Sequence, residues 1–588
     1  MAAALLAATL SSASPAAARP ALQLRVDQLG YAPGEAKVAY LLAPRALRNA
    51  RFRVTNAAGQ TVLRGRAGRS RGQWNRRYRA VQRLDLSALR TPGRYRLRVR
   101  RARSPRFRIA DPAALLRPRV AESVAFFRAQ RDTAHRNDAH ATVYADPTYD
   151  GPDSDVIRGR SLKKIGGPVD ATDGWVDAGD FIKFTHTTAY ASALLLIARR
   201  ELGAAAPPQL EPEARFGLAW LDKAWQDDGT MLLQVGIGSG NTAGTFNGDH
   251  DVWRLPQKDD GLKGGRNRYL RNRPVFRANA PGEPVPPNLA GRVSAAFALA
   301  AQLDAATQPD RARAELATAA QIYGAAKTSR VRDVATALPH AFYPESSWRD
   351  DLELGGAELA LAGRALGDPR AAEWARQSAH WAPNGDDTLN LYDVSAVAHA
   401  ELIRAGRELA VPVGEPKLLA DLRAQLARGM KRARKDPFGA GMVYDDFDAA
   451  SHGFGLVATA ALYKRLTGDT RYDRFGTAQR DWVLGANPWG VSLVIGVGSR
   501  FARCPQHVGA NLTGRTLLGA VVNGPNDRSL FSDGLGEFFD EGRDCHTGGY
   551  GAFTGHGSRF VDDVRSWQTV EPALDFTAVA LLAFALGS

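Results

Sequence analysis

Residues 173–200 read DGWVDAGDFIKFTHTTAYASALLLIARR. Eight residues carry three aspartates, a tryptophan and two glycines, and about twenty residues rich in Ala and Leu follow. The Ala/Leu-rich run predicts a helix over 181–202, with Asp180 at the position of its N-cap. A carboxylate there is held ionised by backbone N–H groups and by the helix dipole. Asp177 falls three residues earlier in a glycine-flanked turn, where it stays accessible.

Working outward, similar Ala/Leu-rich stretches recur near 113–131, 208–226, 287–304, 309–327, 351–366, 368–380, 391–408, 415–433, 451–467, 469–485 and 573–587, twelve in all. Short links such as LTGDTRY and ALGDPR favour antiparallel neighbours. Between pairs lie long segments rich in Gly, Pro, Asn and aromatics, notably 132–180, 228–286, 328–350 and 486–570. Loops of that length without structure of their own are uncommon unless they build a site. Six helical hairpins in a ring, with their loops gathered at one end, satisfy both patterns.

Residues 22–110 differ. RFRVTNAAG, QTVLRG, RYRLRVR and PRFRIA read as short strands between turn signals, and RYRLRVR alternates apolar and charged side chains, the period-2 signature of a strand with one buried face. A β-sandwich of this span is expected, ending at Asp111-Pro112. Residues 45–108 hold 21 arginines, no lysine and one acid, Asp85, so this segment carries +20 against +16 for the whole chain. Without a nucleic-acid motif the run reads first as a solvated strand face of arginine-rich coding, with contact to anionic envelope polymers as the other reading. Nucleic acid is not an expected partner.

The chain opens with MAAALLAATLSSASPAAARP, whose Ala16-Ala17-Ala18 fits a secretory cleavage site, although a basic start is missing. A signal peptide over 1–18, with a secreted or periplasmic product, is expected, against a plain Ala-rich tail. No later apolar run reaches the roughly 18 residues of a membrane span. Cys504 and Cys545, the two cysteines, either close one disulfide or remain buried thiols.

A second carboxylate stands out in RFVDDVRSWQTVEPALDFTAVALLAFAL, residues 559–586. Glu571 is placed at the entrance to the last helix, with Pro572 at a favoured first-turn position. Apolar neighbours raise a carboxyl pKa while a helix N-terminus lowers it, and the sequence leaves that contest open. Glycoside hydrolysis needs one carboxylate to activate water and another to protonate the leaving oxygen. Tryptophans such as Trp175 and Trp567 supply flat faces for sugar rings. There is no P-loop, H-E-x-x-H or dinucleotide fingerprint after a strand.

These motifs resemble glycoside hydrolase family 9, of the endoglucanase type with an N-terminal immunoglobulin-like domain. LRVDQLGYAPGEAKVAYLL resembles the opening of that domain, and GWVDAGDFIKF, VLGANPWGVSLVIGVGS, LLGAVVNGPND and FVDDVRSWQTVEPALDFTA resemble barrel motifs. The resemblance implies an (α/α)6 barrel over 113–588 behind the sandwich. It also implies an inverting mechanism with Asp180 as base, Asp177 holding the water and Glu571 as acid, the two catalytic carboxyls about 6.5–9.5 Å apart. DHDVWRLP is similar to the segment that makes His250 and Trp253 sugar contacts, and His507 in CPQHVGAN stands near the family's histidine. The arginine expected next to it is replaced by Val508 or Gly509, and Val570, Phe576 and Thr577 replace polar residues around the acid. The expected substrate is a β-1,4-glucan polysaccharide or oligosaccharide, with exo action on gluco- or glucosamino-oligosaccharides, or xyloglucan and mixed-linkage glucan hydrolysis, as alternatives. A non-catalytic glycan-binding protein is the alternative of another class. No cofactor is required; the resemblance implies a structural Ca²⁺, which Asp350 and Asp351 suit, while helix N-terminal acids are the equal alternative for this pair.

Overall fold

The computed structural model describes residues 21–332, 334–536 and 541–588; the expected signal peptide lies outside them. The sandwich is made of β1 (Gln23–Arg25), β2 (Val38–Ala43), β3 (Arg51–Thr55), β4 (Thr61–Arg66), β5 (Ala80–Asp85), β6 (Gly93–Val99) and β7 (Ala102–Ile109). One sheet has the order β1-β2-β5 and the other β4-β3-β6-β7. Between them Leu24, Leu41, Phe52, Val54, Leu84, Tyr95, Leu97 and Phe107 form a core separate from that of the barrel. Alternation puts these side chains inside and the intervening arginines of β3, β6 and β7 outside.

Twelve long helices follow, α1 (Pro112–Ala129), α2 (Thr185–Leu202), α3 (Leu210–Ala224), α4 (Pro287–Asp304), α5 (Pro309–Gly324), α6 (Arg349–Leu366), α7 (Ala371–Trp381), α8 (Ser395–Leu409), α9 (Glu415–Lys435), α10 (Ala449–Thr467), α11 (Asp473–Val483) and α12 (Leu574–Gly587). The even-numbered helices pack side by side in the order α2-α4-α6-α8-α10-α12, and α12 returns to α2, closing a ring. The odd-numbered helices pack around it. This is the (α/α)6 barrel that the hairpin pattern implied.

Sequence dictates which helix goes where. In α12 every residue from Leu574 to Leu586 is buried, as a helix enclosed on all sides requires. In α9 only Leu418, Asp421, Leu422, Gln425, Leu426 and Gly429 are buried, a single stripe at helical spacing. The tight links end on left-handed glycines, Gly367 (φ 71°) after α6 and Gly468 (φ 72°) after α10. Glycine takes this conformation without the penalty of a Cβ, so the chain reverses there.

Two long segments expected as loops, with the start of the helix expected over 181–202, contain a five-stranded sheet of order β10-β11-β12-β8-β9, from β8 (Ala141–Tyr144), β9 (Lys164–Val169), β10 (Lys183–Phe184), β11 (Leu232–Val235) and β12 (Val275–Arg277). This sheet corrects the first helix boundary. Lys183 and Phe184 pair with Val235 and Gln234, so α2 begins at Thr185 and its N-cap is Phe184 rather than Asp180. Glu571 likewise does not open α12. It follows the short helical turn Trp567–Val570, Pro572 pairs with Val522, and α12 starts at Leu574.

The sandwich docks on the barrel through VDQLGY and its neighbours. Gln28 donates to the carbonyls of Gly490 (3.3 Å) and Arg500 (3.0 Å). Arg480 pairs with Glu35 (2.6 Å) and Asp27 (3.5 Å). Trp74 donates to the Phe553 carbonyl at 2.7 Å and stacks on His556. Cys504 and Cys545 form a disulfide that closes the 41-residue separation in the last long loop region. Among the described residues no helix is long and apolar enough to cross a membrane.

Candidate active site

The backbone turns of residues 173–180 set the site. Asp173 sits at φ 64°, accepts from Lys223 at 2.9 Å through its carboxylate and from Lys183 at 2.8 Å through its carbonyl, so it shapes the turn. Beyond it the chain is pinned from three sides. The Asp177 carbonyl accepts from Leu574 N at 3.1 Å, the Gly179 carbonyl accepts from Val508 N at 2.8 Å, and Gly179 N donates to Glu571 Oε1 at 3.1 Å. Segments almost 400 residues apart thereby bring Asp177, Asp180 and Glu571 together. Gly179 is required by this approach, because a Cβ would stand 2.5 Å from the Gln506 carbonyl oxygen and 3.1 Å from Glu571 Oε1.

The three carboxyls occupy different environments. Glu571 is pushed up to about 8, by burial first and then by the charge of Asp180, against the Gly179 hydrogen bond. The open contest over this residue is thus decided by desolvation, since no long helix begins at Glu571. Asp177 is buried and accepts from the Tyr343 hydroxyl. Burial pushes it up to about 7, with Asp180 adding to the rise. Asp180 keeps 16% of its side chain exposed. Its Oδ2 meets His250 Nε2 at 3.0 Å, while Oδ1 accepts from Ile182 N at a long 3.4 Å. Oδ1 is therefore the oxygen with capacity left for a solvent molecule.

His250 bridges two acids, with Nδ1 at 2.8 Å from Asp155 Oδ2. Burial opposes a charged imidazole, but hydrogen bonds and charges from Asp155 and Asp180 outweigh it and raise the pKa well above the ordinary histidine value. Asp155 is in turn fixed by Ser239 Oγ at 2.8 Å. Phe342 lies 5.7 Å from the His250 ring. Asp155, Phe342 and Tyr343 were not among the residues expected from sequence, because each sits in an aperiodic loop among similar residues and no spacing singles it out. Farther in, Asp448 is pushed up to about 7 by burial, and Asp575 is raised by burial and by Asp448 and Asp177.

Four other expectations need correction. Trp175 is fully buried and donates from Nε1 to Glu213 at 2.8 Å, a carboxylate that also pairs with Arg131 at 2.7 Å; it braces the loop and offers no face to a sugar. Trp253 is buried in an apolar cluster with Val176, Phe181, Val508 and Val564, so its expected sugar contact also fails. His507 is buried, with Nδ1 accepting from Ala510 N (3.1 Å) and Nε2 on Gln130 Oε1 (2.7 Å). Burial drives it down to about 4. Gln130 donates onward to the Ala178 carbonyl at 2.7 Å, so His507 supports the carboxylate loop from behind. Asp350 accepts from Ser347 and from Val394 N (2.8 Å), and Asp351 pairs with Arg292. A guanidinium already stands where a cation would, and no group of three or more His, Cys, Asp or Glu suited to a metal occurs among the described residues; these acids do not fit a Ca²⁺ site. Trp567, in contrast, is 38% exposed and lies 6.2 Å from Phe447, a partly buried ring packed against the barrel core.

Comparison with known proteins agrees with this geometry. The family described as Glycosyl hydrolase family 9 matches residues 119–584, and the Cellulase N-terminal ig-like domain matches residues 19–104. The chain is 23% identical over 470 residues to Endoglucanase 14 of Arabidopsis thaliana, covering 70% of this chain and 87% of that one. A metagenome-derived glycoside hydrolase family 9 endoglucanase superposes with a TM-score of 0.71 at 22% identity, over 96% of this chain and 99% of the other. AaCel9A in complex with cellobiose-like isofagomine superposes with a TM-score of 0.67 at 21% identity, over 96% and 99%. At such identities the structural likeness concerns the fold, whereas the family match spans most of the chain and its catalytic segments. The chain belongs to glycosyl hydrolase family 9 and is a glycoside hydrolase.

Proposed function

We propose that the protein is an inverting hydrolase of β-1,4-glucosidic bonds, exported from the cell and acting on accessible glucan chains. One observation carries this reading. Glu571, a carboxyl pushed up to about 8 by burial, is hydrogen-bonded to Gly179, the residue next to Asp180, whose side chain keeps 16% exposure. In the reaction, a water molecule on Asp180 Oδ1 attacks the anomeric carbon and gives its proton to that oxygen. The carbon–oxygen bond to the leaving sugar breaks, and Glu571 delivers its proton to the leaving oxygen. Asp177, fixed by Tyr343, holds the water from its other side. His250 keeps Asp180 oriented, and Trp567 with Phe447 offers a stacking surface to a sugar.

Substrate choice follows from what surrounds the acids. Among the described residues no guanidinium contacts Asp177, Asp180 or Glu571, and Val508, at the place of an expected arginine, is buried. Such a site suits neutral glucans. It also favours a second reading, cleavage of short glucosamine-containing chains, because a protonated amino sugar meets no guanidinium beside these acids.

The test is product release from soluble β-glucans, xyloglucan, and cello- and chitosan-oligosaccharides, with the anomeric form of the first product read by NMR. Cleavage with inversion, lost in Asp180→Asn and Glu571→Gln, supports the mechanism and identifies the glycan. Retention of configuration overturns it, and activity surviving in both variants removes the assigned acids.

A further inference from the structure

The sandwich turns its three-stranded sheet and connecting loops to the barrel and leaves the outer face of β4-β3-β6-β7 in solvent. Strand register lines up the arginines on that face. Arg64, Arg53, Arg98 and Arg103 lie opposite one another across all four strands, and Arg96 opposes Arg106 in the next row. With Arg51–Arg66 and Arg94–Arg108 the face holds ten arginines. Adjacent strands are about 4.8 Å apart, and like charges directly opposite are destabilising. Among the described residues no carboxylate pairs with any of the ten; the only ion pair within residues 45–108 is Arg83–Asp85, at 4.0 Å, on the other sheet. Arg98 shows the strain of this crowding, its pKa lowered by desolvation and by Arg103, Arg53 and Arg96.

Arginine-rich coding explains why lysine is missing, but it does not explain the missing acids. Sixty of the 61 acidic residues lie outside residues 45–108. An ordinary soluble face mixes both signs, whereas this one has excluded the negative sign. The planar guanidinium fork matches carboxylates in bidentate fashion. The aromatic residues of β3, β6 and β7, Phe52, Tyr95 and Phe107, all face inward, so no ring is presented for stacking nucleic-acid bases. On β4 the one exposed large apolar side chain is Val62, too little for insertion into a membrane.

We propose that the outer face of β4-β3-β6-β7 binds a linear anionic polysaccharide with a carboxylate on its repeating sugar, and so anchors the barrel in an acidic glycan matrix. The polymer bound is distinct from the glycan hydrolysed, and the proposal stands whatever the barrel cleaves.

The test uses the full chain and Arg53→Gln/Arg98→Gln/Arg103→Gln, with polygalacturonate as probe, dextran as neutral control, and duplex DNA and phosphatidylserine vesicles as competing polyanions. The native chain should bind polygalacturonate and ignore dextran. Binding should weaken at least tenfold in the triple variant, and at least tenfold between 50 and 500 mM salt, as expected for several released counterions. Thermal melting should not fall in the variant, because like-charge crowding is relieved, and turnover of a soluble oligosaccharide should be unchanged, which separates loss of the face from loss of the fold. Absence of binding, binding that survives the triple substitution, or equal or tighter binding to DNA or vesicles would each overturn the proposal.

Discussion

At the barrel mouth, Asp177, Asp180 and Glu571 share one hydrogen-bonded frame with a cationic partner, His250; on the sandwich face ten arginines stand in solvent with no acid among them. Both regions crowd charges of one sign. Where water is excluded, desolvation first and the neighbouring acid second favour protonation, so Asp177 and Glu571 move up to about 7 and about 8. Where water remains, solvent and salt screen the repulsion and the charges persist. The first arrangement produces an acid and a base side by side, and the second produces an attractive surface. Chemistry is therefore assigned to the enclosed cluster and recognition to the open one.

The largest effect tests the enclosed cluster directly. Asp180→Asn and Glu571→Gln should each lower kcat by about 10²–10⁴-fold, the usual range for a lost general acid or base. Single-turnover assays on the glycan that the product-release panel identifies check this. In the native enzyme the alkaline limb of kcat/KM should fall near pH 8, where Glu571 loses its proton, and azide or another small anion should not restore the limb. A limb set instead near pH 5 would break the contrast, since Glu571 would then behave as a solvated acid.

The same residue should reverse sign in stability. Glu571 has its folded pKa raised from 4.5 to about 8. Its contribution is fully present below about pH 4.5 and is lost as pH rises through about 8, because the folded state must hold a proton that the unfolded chain has released. Glu571→Gln removes that dependence, so the variant should be more stable than the native chain by about 3 kcal/mol at pH 7 and equal to it at pH 4. Denaturant titrations at the two pH values decide the matter. Equal stability at both would mean that the acid is hydrated.

How much of this was legible beforehand varies by region. The twelve helices followed from apolar stretches and turn residues, because each buries a face whose period is fixed by backbone geometry. The acids at 177, 180 and 571 stood out by their motifs. Their local settings did not: a two-residue strand, Lys183–Phe184, takes priority over helix propensity and moves the start of α2, and that pairing depends on Gln234 and Val235, fifty residues away. Burial was equally hidden. Trp175 and Trp567 look alike in sequence, flanking acids in glycine- or polar-rich segments, yet Trp175 faces Glu213 and Trp567 faces solvent.

Next in size is the disulfide between Cys504 and Cys545, which ties down the loop region carrying His507 and the chain next to Glu571. Replacing both cysteines with serine should cost about 2–4 kcal/mol, as expected when a loop of this length is freed in the unfolded chain. The sandwich face lies outside that loop, so polygalacturonate binding should be unaffected at temperatures where the variant is folded. Chemical melts with and without reductant measure the first quantity, and a loss below 1 kcal/mol would show that barrel packing alone holds the region.

The smallest effects come from the two tryptophans and sharpen the distinction between enclosed and open groups most finely. Trp175→Phe leaves a void at a fully buried site and deletes the Nε1 hydrogen bond to buried Glu213; the lost donor alone costs about 1–3 kcal/mol when a buried partner is left short. Folded molecules should still turn over at the native kcat, because the ring does not reach substrate. Trp567→Ala should do the converse, leaving the melt within about 0.5 kcal/mol of native, as for an exposed position, while raising KM a few-fold and sparing kcat, as removal of a stacking surface used equally in ground and transition states requires. If Trp175→Phe raises KM and Trp567→Ala lowers stability, exposure has been assigned to the wrong ring, and the sugar-binding surface lies on the Trp175 side of the acids.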